Sequence, residues 1–419
     1  MWRPSERPRF GRDFQKFWVG QTVSNLGSSI TQFAIPLIVF ELTHSAVNLA
    51  LATAASFLPY LLFGLVIGAW VDRLDRKRLM IACNAAAAAL LVSVPALSAA
   101  GLLSVWWIYA VGFFQATIFI AFSASEFAAV PSLVEAEELV VANGRIQASY
   151  AAASVVGPLL AGALVATIRP ESLLLVDAAT FVVSAATLAS VTRSLNLGPR
   201  RERTRIRSDI AEGVRYVLRH PVLRNISVMM ALTNFAGTTV WAELVLFAKD
   251  RLDATNSEVA VLWAAGSFGI VLAGLAAPRL RKRFSFSVLL LGDVVVYGLA
   301  IVALSFTRTV WAALWLWALA AGMAIFFNVL SGSLRQSIVP NELLGRVVTV
   351  ASVIAWSANP LGALLGGYLI KTTGDVARVY TAAGAIVVLI GLVFTRTALR
   401  EADSFLPVAP RTPESAPAA

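Results

Sequence analysis

Twelve long apolar runs constrain this chain more than any other feature of its sequence. Each run is long enough to cross the roughly 30 Å of hydrocarbon in a bilayer, which takes about 20 helical residues. A backbone that spans a membrane must satisfy its own hydrogen bonds, and these runs lack the alternation of barrel strands, so we expect helices. The chain has 58% hydrophobic and only 14% charged residues, whereas soluble domains carry about 25% charged residues. We therefore predict an all-α membrane protein with spans near residues 15–40, 46–70, 79–100, 105–129, 144–167, 172–192, 224–248, 257–279, 286–306, 309–331, 345–370 and 377–397.

The basic residues lie in the short segments between these runs. One side of the predicted membrane holds 28 lysines and arginines and the other side holds 6. Because cytoplasmic loops are rich in basic residues, both termini are predicted to be cytoplasmic, in a multi-pass protein of the bacterial inner (plasma) membrane. The formal net charge of +10 is spread over these loops without a soluble basic domain, which argues against a nucleic-acid partner.

The runs fall into two groups of six, and the groups share a repeated pattern. Arg145 precedes Pro158 by 13 residues, and Arg346 precedes Pro360 by 14 residues. Two six-helix halves with such a repeat are typical of secondary transporters. We divide the chain into a first six-helix half at 1–192, a cytoplasmic central loop at 193–223, a second half at 224–397 and a disordered cytoplasmic tail at 398–419.

Several short motifs carry a resemblance to a known family. The segment between the second and third runs contains Gly68-x-x-x-Asp72-Arg73-x-x-Arg76, and helix 11 is preceded by Pro340-Asn-Glu-x-Leu-Gly-Arg346. With Gly20-Gln21-x-x-Ser24-Asn25-x-Gly27 in helix 1, these motifs resemble the major facilitator superfamily, in the branch of enterobactin exporters and macrolide efflux proteins.

That resemblance implies the major facilitator fold, twelve transmembrane helices in two pseudo-symmetric halves, with a central cavity lined by helices 1, 4, 7 and 10. It also implies a secondary active transporter that works by alternating access. We expect a proton-coupled exporter of a bulky small molecule, such as a drug, a macrolide-like antibiotic or a siderophore, and we expect it to be a monomer. The alternatives left open are an importer of a small organic solute and, less favoured, a non-transporting sensor or a channel.

The resemblance further implies a cytoplasmic latch, for which this chain supplies Gly68, Asp72, Arg73, Arg76 and Glu126. Asp72 is expected to face free backbone N–H groups at the start of helix 11, where an anion is favoured. Arg76 is expected to pair with Glu126 at the inner end of helix 4. The alternative is that the basic residues only set the topology, although topology alone requires neither acid.

Four acids within or beside the apolar runs are candidates for proton coupling: Glu41, Asp177, Glu243 and Asp293. A charge near the middle of the membrane costs roughly 2.5–3.5 kcal/mol on insertion scales, so such acids are rarely incidental. Glu243 ranks first because it lies on helix 7, a cavity helix, although a salt bridge to Lys249 or Arg251 is the alternative. Asp177 and Asp293 lie on scaffold helices, where a structural role is expected, and Glu41 lies near the outer end of helix 1.

Polar residues follow one face of helix 1 at steps of 4, 3 and 4 residues: Gln21, Asn25, Ser28 and Gln32. We interpret this stripe as cavity lining, while hydrogen bonds between helices are the alternative. Many members of the family it resembles carry an acid at the position of Ser28, so this chain must use another group for coupling or couple differently. Aromatic walls with few polar groups suit bulky, partly apolar ligands. The further cavity candidates, for which ordinary packing is the alternative, are Gln115, Phe119, Asn234, Trp241, Trp315 and Asn328.

The sequence argues against an enzyme. Its two histidines, His44 and His220, are predicted in loops on opposite sides, and Cys83 is its one cysteine. This leaves no clustered ligands for a metal and no nucleophile–base pair. The phosphate-binding loop with its Lys-Ser/Thr ending is missing as well, so we expect no ATP, metal or other cofactor.

Overall fold

The computed structural model describes residues 10–71, 74–135, 138–196 and 206–406, and within them the chain is almost entirely α-helical. Eleven helices are long and apolar enough to span a membrane, and a bent pair supplies a twelfth span. This confirms the prediction of an all-α membrane protein with twelve spans. The helices are α1 Arg12–Thr43, α2 Ala46–Val71, α3 Arg76–Ala99, α4 Val105–Leu133, α5 Leu139–Val165, α6 Leu173–Ala189, α7 Ile206–Arg219, α8 Pro221–Ala242, α9 Leu244–Leu252, α10 Asn256–Arg281, α11 Phe286–Ser305, α12 Val310–Ile338, α13 Asn341–Thr373 and α14 Val376–Phe394.

Short connections make successive spans antiparallel. We call the end of the bundle at which α1 begins and α14 ends the proximal face, and the opposite end the distal face. Helices α1–α6 form the first half and α8–α14 the second, with α1 packed on α5 and α6, and α11 on α12 and α14. Between the halves, α2 packs on α13 and α5 packs on α10. The domain boundaries drawn from the sequence stay predictions.

The chain segment that follows α6 caps the first half at the proximal face. Oδ2 of Asp13 accepts hydrogen bonds from the backbone N–H groups of Thr192 and Arg193, at 3.1 and 2.8 Å. Asp75, the N-cap of α3, accepts a hydrogen bond from Nδ2 of Asn196 at 3.1 Å. These contacts tie the end of α6 to the starts of α1 and α3.

The linker helix α7 packs on the second half rather than standing free. Val217 is 1% exposed and belongs to a buried cluster with Val347 and Val350 of α13, whereas Leu218 is 52% exposed. This helix lies within the segment 193–223 that the sequence analysis assigned to a central loop. Through this cluster, α7 packs on the proximal end of α13, the helix of the second half that contacts α2 of the first half.

A short 3₁₀ helix, Ala398–Phe405, caps the second half in the same way. Asp403 accepts hydrogen bonds from the backbone N–H groups of Phe286 and Ser287, both at 3.0 Å, and lies 3.4 Å from Nη2 of Arg281. This segment falls within the tail that the sequence predicted to be disordered from 398 onwards. The rest of that predicted tail lies outside the described residues.

The Asp403 cap predicts acid-dependent stability. Burial raises the pKa of Asp403, but the hydrogen bonds from Ser287 and Phe286 and the charge of Arg281 outweigh it and lower the pKa below its usual value. The stabilisation is therefore present above the unfolded-state pKa of about 3.9 and is lost as the pH falls through the folded-state value. We expect Asp403→Asn to lower the melting temperature by a few degrees at neutral pH. Melting curves at lower pH should converge with wild type, and an equal offset at every pH would contradict this role.

Candidate functional site

Glu243 lies at a break within the seventh span, between α8 and α9, where the helix axis bends by 51°. Its side chain is 0% exposed, and neither carboxyl oxygen has a hydrogen-bond partner. Among the described residues it forms no ion pair, so the salt bridge to Lys249 or Arg251 that the sequence left open is not formed in this structure. A fully buried carboxyl without partners is costly in its charged form.

The Glu243 carboxyl lies where the two halves touch. A Cβ atom added to Gly367 of α13 would lie 3.2 Å from Oε1 of Glu243, 2.7 Å from Cβ of Ala50 and 2.9 Å from the carbonyl oxygen of Ala46. Only glycine allows α13 to approach α2 this closely. The first turns of α2 therefore cover Glu243 from the side of the first half.

Two hydrogen bonds join the halves within the described residues, and both lie at the distal face. Nδ2 of Asn256 donates to Oε1 of Glu41 at 2.9 Å, and Oγ of Ser257 donates to the carbonyl oxygen of Gly162 at 2.9 Å. These two hydrogen bonds and the packing of Ala46 and Ala50 on Gly367 hold the halves together at the distal face. We call this contact the distal seam. The structure thus has its distal face closed around Glu243.

A polar pocket of about 460 Å³ opens on the distal face beside this seam. Ala46 belongs to its lining and also packs on Gly367, beside the Glu243 carboxyl. The residues that line the pocket include the titratable His44, Asp250 and Lys371. The pocket brings aqueous, charged surface close to the buried acid without reaching it.

Asp293 and Asp177 are also buried, in different settings. Asp177 is 1% exposed, and its two oxygens accept hydrogen bonds from the hydroxyls of Thr31 at 2.6 Å and Thr180 at 3.0 Å. Asp293 is 5% exposed, and its Oδ1 has no partner. The pairing of Asp177 with α1 fits the structural role expected for it, whereas Asp293 resembles Glu243 in being unpaired.

The latch residues are only partly within the described chain. Gly68 lies in α2, while Asp72 and Arg73 lie outside the described residues. Arg76 starts α3 and donates through Nη1 to the carbonyl oxygens of Ala128 and Leu195, at 3.1 and 3.2 Å. Oε2 of Glu126 accepts from the Tyr150 hydroxyl at 3.3 Å, and Oε1 has no partner.

Arg76 thus reaches α4 two residues from Glu126 without forming an ion pair with it in this distal-closed state. The latch was expected for the opposite state, in which the proximal face is closed. It stays a prediction.

The four polar residues of the helix 1 stripe differ in their burial and in their hydrogen-bond partners. Gln21 is buried and donates to Oγ of Ser184 in α6 at 3.4 Å, and Asn25 is buried with its Nδ2 unpaired. Ser28 is half-buried and Gln32 is exposed. The Gln21 contact fits the alternative of bonding between helices, and cavity lining stays a prediction for the stripe.

The other cavity candidates lie on α4, α8 and α12. Gln115 donates to the carbonyl oxygen of Ala87, Asn234 to that of Ala355, and Asn328 to that of Ala324. Phe119 is 46% and Trp315 75% exposed, whereas Trp241 packs edge-on against Trp317 with ring centroids 4.6 Å apart. Their role as cavity lining stays a prediction.

Sequence reasoning missed two tyrosines, Tyr297 and Tyr380, and the glycine Gly367 beside Glu243. No local signal marks them, because their significance arises from packing between α8, α11, α13 and α14. No group of three or more His, Cys, Asp or Glu within the described residues is arranged to hold a metal ion.

The family model described as transmembrane secretion effector matches residues 8–416, nearly the whole chain. The chain belongs to this family, within the major facilitator superfamily. Its members are transporters rather than enzymes, and the efflux branch that the motifs suggested is confirmed.

Similar proteins agree with this assignment. Macrolide efflux protein A of Streptococcus pyogenes is 27% identical over 393 residues, covering 91% of this chain and 94% of that protein. The multidrug efflux pump Tap of Mycolicibacterium fortuitum is 27% identical over 365 residues, covering 83% of this chain and 87% of the pump. Among solved structures, a bacterial homologue of the human lysosomal transporter Spinster has the same fold, with a TM-score of 0.67 at 18% identity, covering 96% of this chain and 97% of that one.

Proposed function

We propose that this protein is a proton-coupled exporter of bulky, partly apolar small molecules and that Glu243 carries the proton. The observation that supports this most is the Glu243 carboxyl, fully buried at the distal seam with both oxygens unpartnered. Burying a single ion costs several kcal/mol even after relaxation, so the closed seam accommodates the neutral acid far better than the carboxylate. Closing the distal face therefore requires a proton.

The proposed orientation places the proximal face in the cytoplasm. The proximal loops and both chain ends hold 28 of the lysines and arginines, against 6 on the distal side. This is the distribution expected for cytoplasmic loops. On this assignment the structure, closed at its distal seam, represents the inward-facing state.

The proposed cycle follows from what covers Glu243. In the outward-facing state α2 leaves α13, and Glu243 is open to the outside through the region of His44 and Asp250. There the carboxylate takes up a proton as cargo leaves, and the neutral acid lets the seam close. Rocking of two repeated halves about a central site is the motion that such internal repeats permit. Loss of the proton to the cytoplasm then completes an exchange of proton for cargo.

The proposed cargo class is supported by relatives rather than by a bound ligand. Two relatives are named for macrolide efflux and for multidrug efflux, which favours export over import and a hydrophobic drug over a siderophore. The half-buried Trp241 of α8, which packs on the buried Trp317 of α12, offers apolar surface of the kind that such cargo requires.

The proposal is tested with purified protein reconstituted into proteoliposomes with erythromycin as the probe. A pH gradient, acidic inside, is expected to drive erythromycin uptake several-fold above empty liposomes, and a protonophore should abolish the difference. Ethidium serves as a second, chemically unrelated probe. Uptake that is saturable but indifferent to the pH gradient would contradict proton coupling while leaving transport intact.

A further inference from the structure

The proposed function leaves one step unexplained, which is how Glu243 loses its proton while the distal face is closed. In this structure the carboxyl lies against Gly367 of α13, on which Ala46 and Ala50 of α2 also pack. It has no exposed surface towards either face. A proton released to the proximal side must therefore pass through the second half itself.

Two positions on α8, three and six residues before Glu243, lead away from it towards the proximal face. The Tyr380 hydroxyl donates to the carbonyl oxygen of Val240 at 2.8 Å. The Tyr297 hydroxyl lies over Gly237, where an added Cβ would be only 2.5 Å from it. Each step of three residues advances about 4.5 Å along the helix axis. The two hydroxyls thus follow Glu243 in a row towards the proximal face.

Asp293 continues this row. It precedes Tyr297 by four residues on α11, which places both side chains on one face, one turn apart. Its Oδ1 is buried and has no partner. Exposure rises along the row, from 0% for Glu243 and Tyr380 to 5% for Tyr297 and Asp293. All four side chains of the row are therefore buried, with Glu243 and Tyr380 fully so.

The contacts of these four side chains favour proton transfer between them over salt bridges to basic residues. The Tyr380 side chain lies near those of Glu243 and Tyr297, and the Tyr297 side chain lies near those of Trp241 and Asp293. No lysine or arginine in the described part of the chain forms an ion pair with any of the four.

The elements packed around Glu243 add little other charge. Around Gly367, α2 contributes only alanines to the contact. The charged side chains nearest to Glu243 along the chain are Lys249, Asp250 and Arg251 of α9, beyond the next helical turn. Phe247 stacks on Tyr380 with ring centroids 4.8 Å apart. The row is thus insulated by apolar side chains.

We propose that Tyr380, Tyr297 and Asp293 form a proton route through the second half, by which Glu243 releases its proton towards the proximal face while the distal seam is closed. Each hydroxyl accepts one proton and gives up another, so both tyrosines end unchanged. Glu243 becomes a carboxylate, while Asp293, a neutral acid in its buried site, accepts a proton on one oxygen and gives up the proton of its other oxygen to water. Steps of about one helical turn are covered by rotation of a hydroxyl or by one bridging water. The proposal rests on the proposed role of Glu243.

The test follows the protonated-carboxyl infrared band of Glu243 in protein held in the distal-closed state. The side chains of Glu41 and Asn256 meet across the seam, so the substitutions Glu41→Cys and Asn256→Cys in a Cys83→Ser background are joined by a short bismaleimide. The band is assigned by its loss in Glu243→Gln. After a jump to alkaline pH, we expect Tyr297→Phe and Tyr380→Phe to slow its decay roughly 10²-fold, the lower end of what a positioned proton-transfer group contributes. We expect Asp293→Asn to do the same.

The matched control is Tyr109→Phe, which removes a hydroxyl that donates to Asn48 in the first half. In this variant the Glu243 infrared band should decay at the wild-type rate, and melting temperatures establish that each variant is folded. Decay at the wild-type rate in both Tyr297→Phe and Tyr380→Phe would overturn the route. If proton-driven erythromycin uptake instead survives in Glu243→Gln, the proposed function fails, and the two failures are thereby distinguished.

Discussion

Replacing Glu243 with glutamine is expected to abolish proton-driven transport while the protein still binds cargo. Glutamine has the shape and neutrality of the protonated acid, so the distal seam closes without a proton. We expect pH-driven uptake of erythromycin into proteoliposomes to fall by about 10²-fold or more, the range that loss of a proton-transfer group produces. Binding of erythromycin in detergent, measured by calorimetry, should persist but weaken, because glutamine mimics the protonated acid whose proton the cargo displaces.

Glu171→Gln is the matched control for this prediction. Glu171 lies on the same face of the bundle, in the 3₁₀ segment before α6, and is bonded only weakly to Ser98, at 3.3 Å. It should transport as wild type does. Retention of pH-driven uptake by Glu243→Gln at the level of this control would remove Glu243 from the coupling mechanism.

Placing leucine at Gly367 is expected to hold the distal face open. A Cβ at this position meets Cβ of Ala50 at 2.7 Å, and the rest of the leucine side chain has no space in the closed seam. Overpacking of this kind costs typically 1–3 kcal/mol, which lowers the distal-closed population by roughly 5- to 150-fold. Transport should fall accordingly, because the cycle requires both states.

The measurement is the distance between spin labels on Leu42 and Thr372, which are exposed at the distal ends of the two halves. Gly367→Leu should shift the distance distribution to longer values. Gly292→Leu is the control, since nothing lies within 4 Å of a Cβ built there. If Gly367→Leu keeps the wild-type distances, the seam does not depend on the close approach of α13 to α2.

Composition and periodicity predicted the spans, because the cost of placing polar backbone in hydrocarbon leaves a membrane chain few alternatives. They did not predict the break at Glu243. The sequence there, Trp241-Ala242-Glu243-Leu244, contains neither proline nor a glycine pair, the usual local causes of a bend. The bend therefore depends on tertiary packing, which periodicity does not report.

The site was predictable in kind but not in geometry. Ranking Glu243 first rested on its position in a cavity helix, and the structure adds that it is sealed between α2 and α13. The period of the helix 1 stripe placed its members on one face but did not identify the partner, which for Gln21 is Ser184. Tyr297 and Tyr380 carry no local signal, since each becomes informative only through its contact with α8.

The central claim is that Glu243 exchanges its proton for cargo. The most direct measurement is proton release from purified, weakly buffered protein when erythromycin binds, followed with a pH-sensitive dye. The account predicts release from the wild-type protein and none from Glu243→Gln at equal erythromycin occupancy. Equal proton release from both proteins would contradict it.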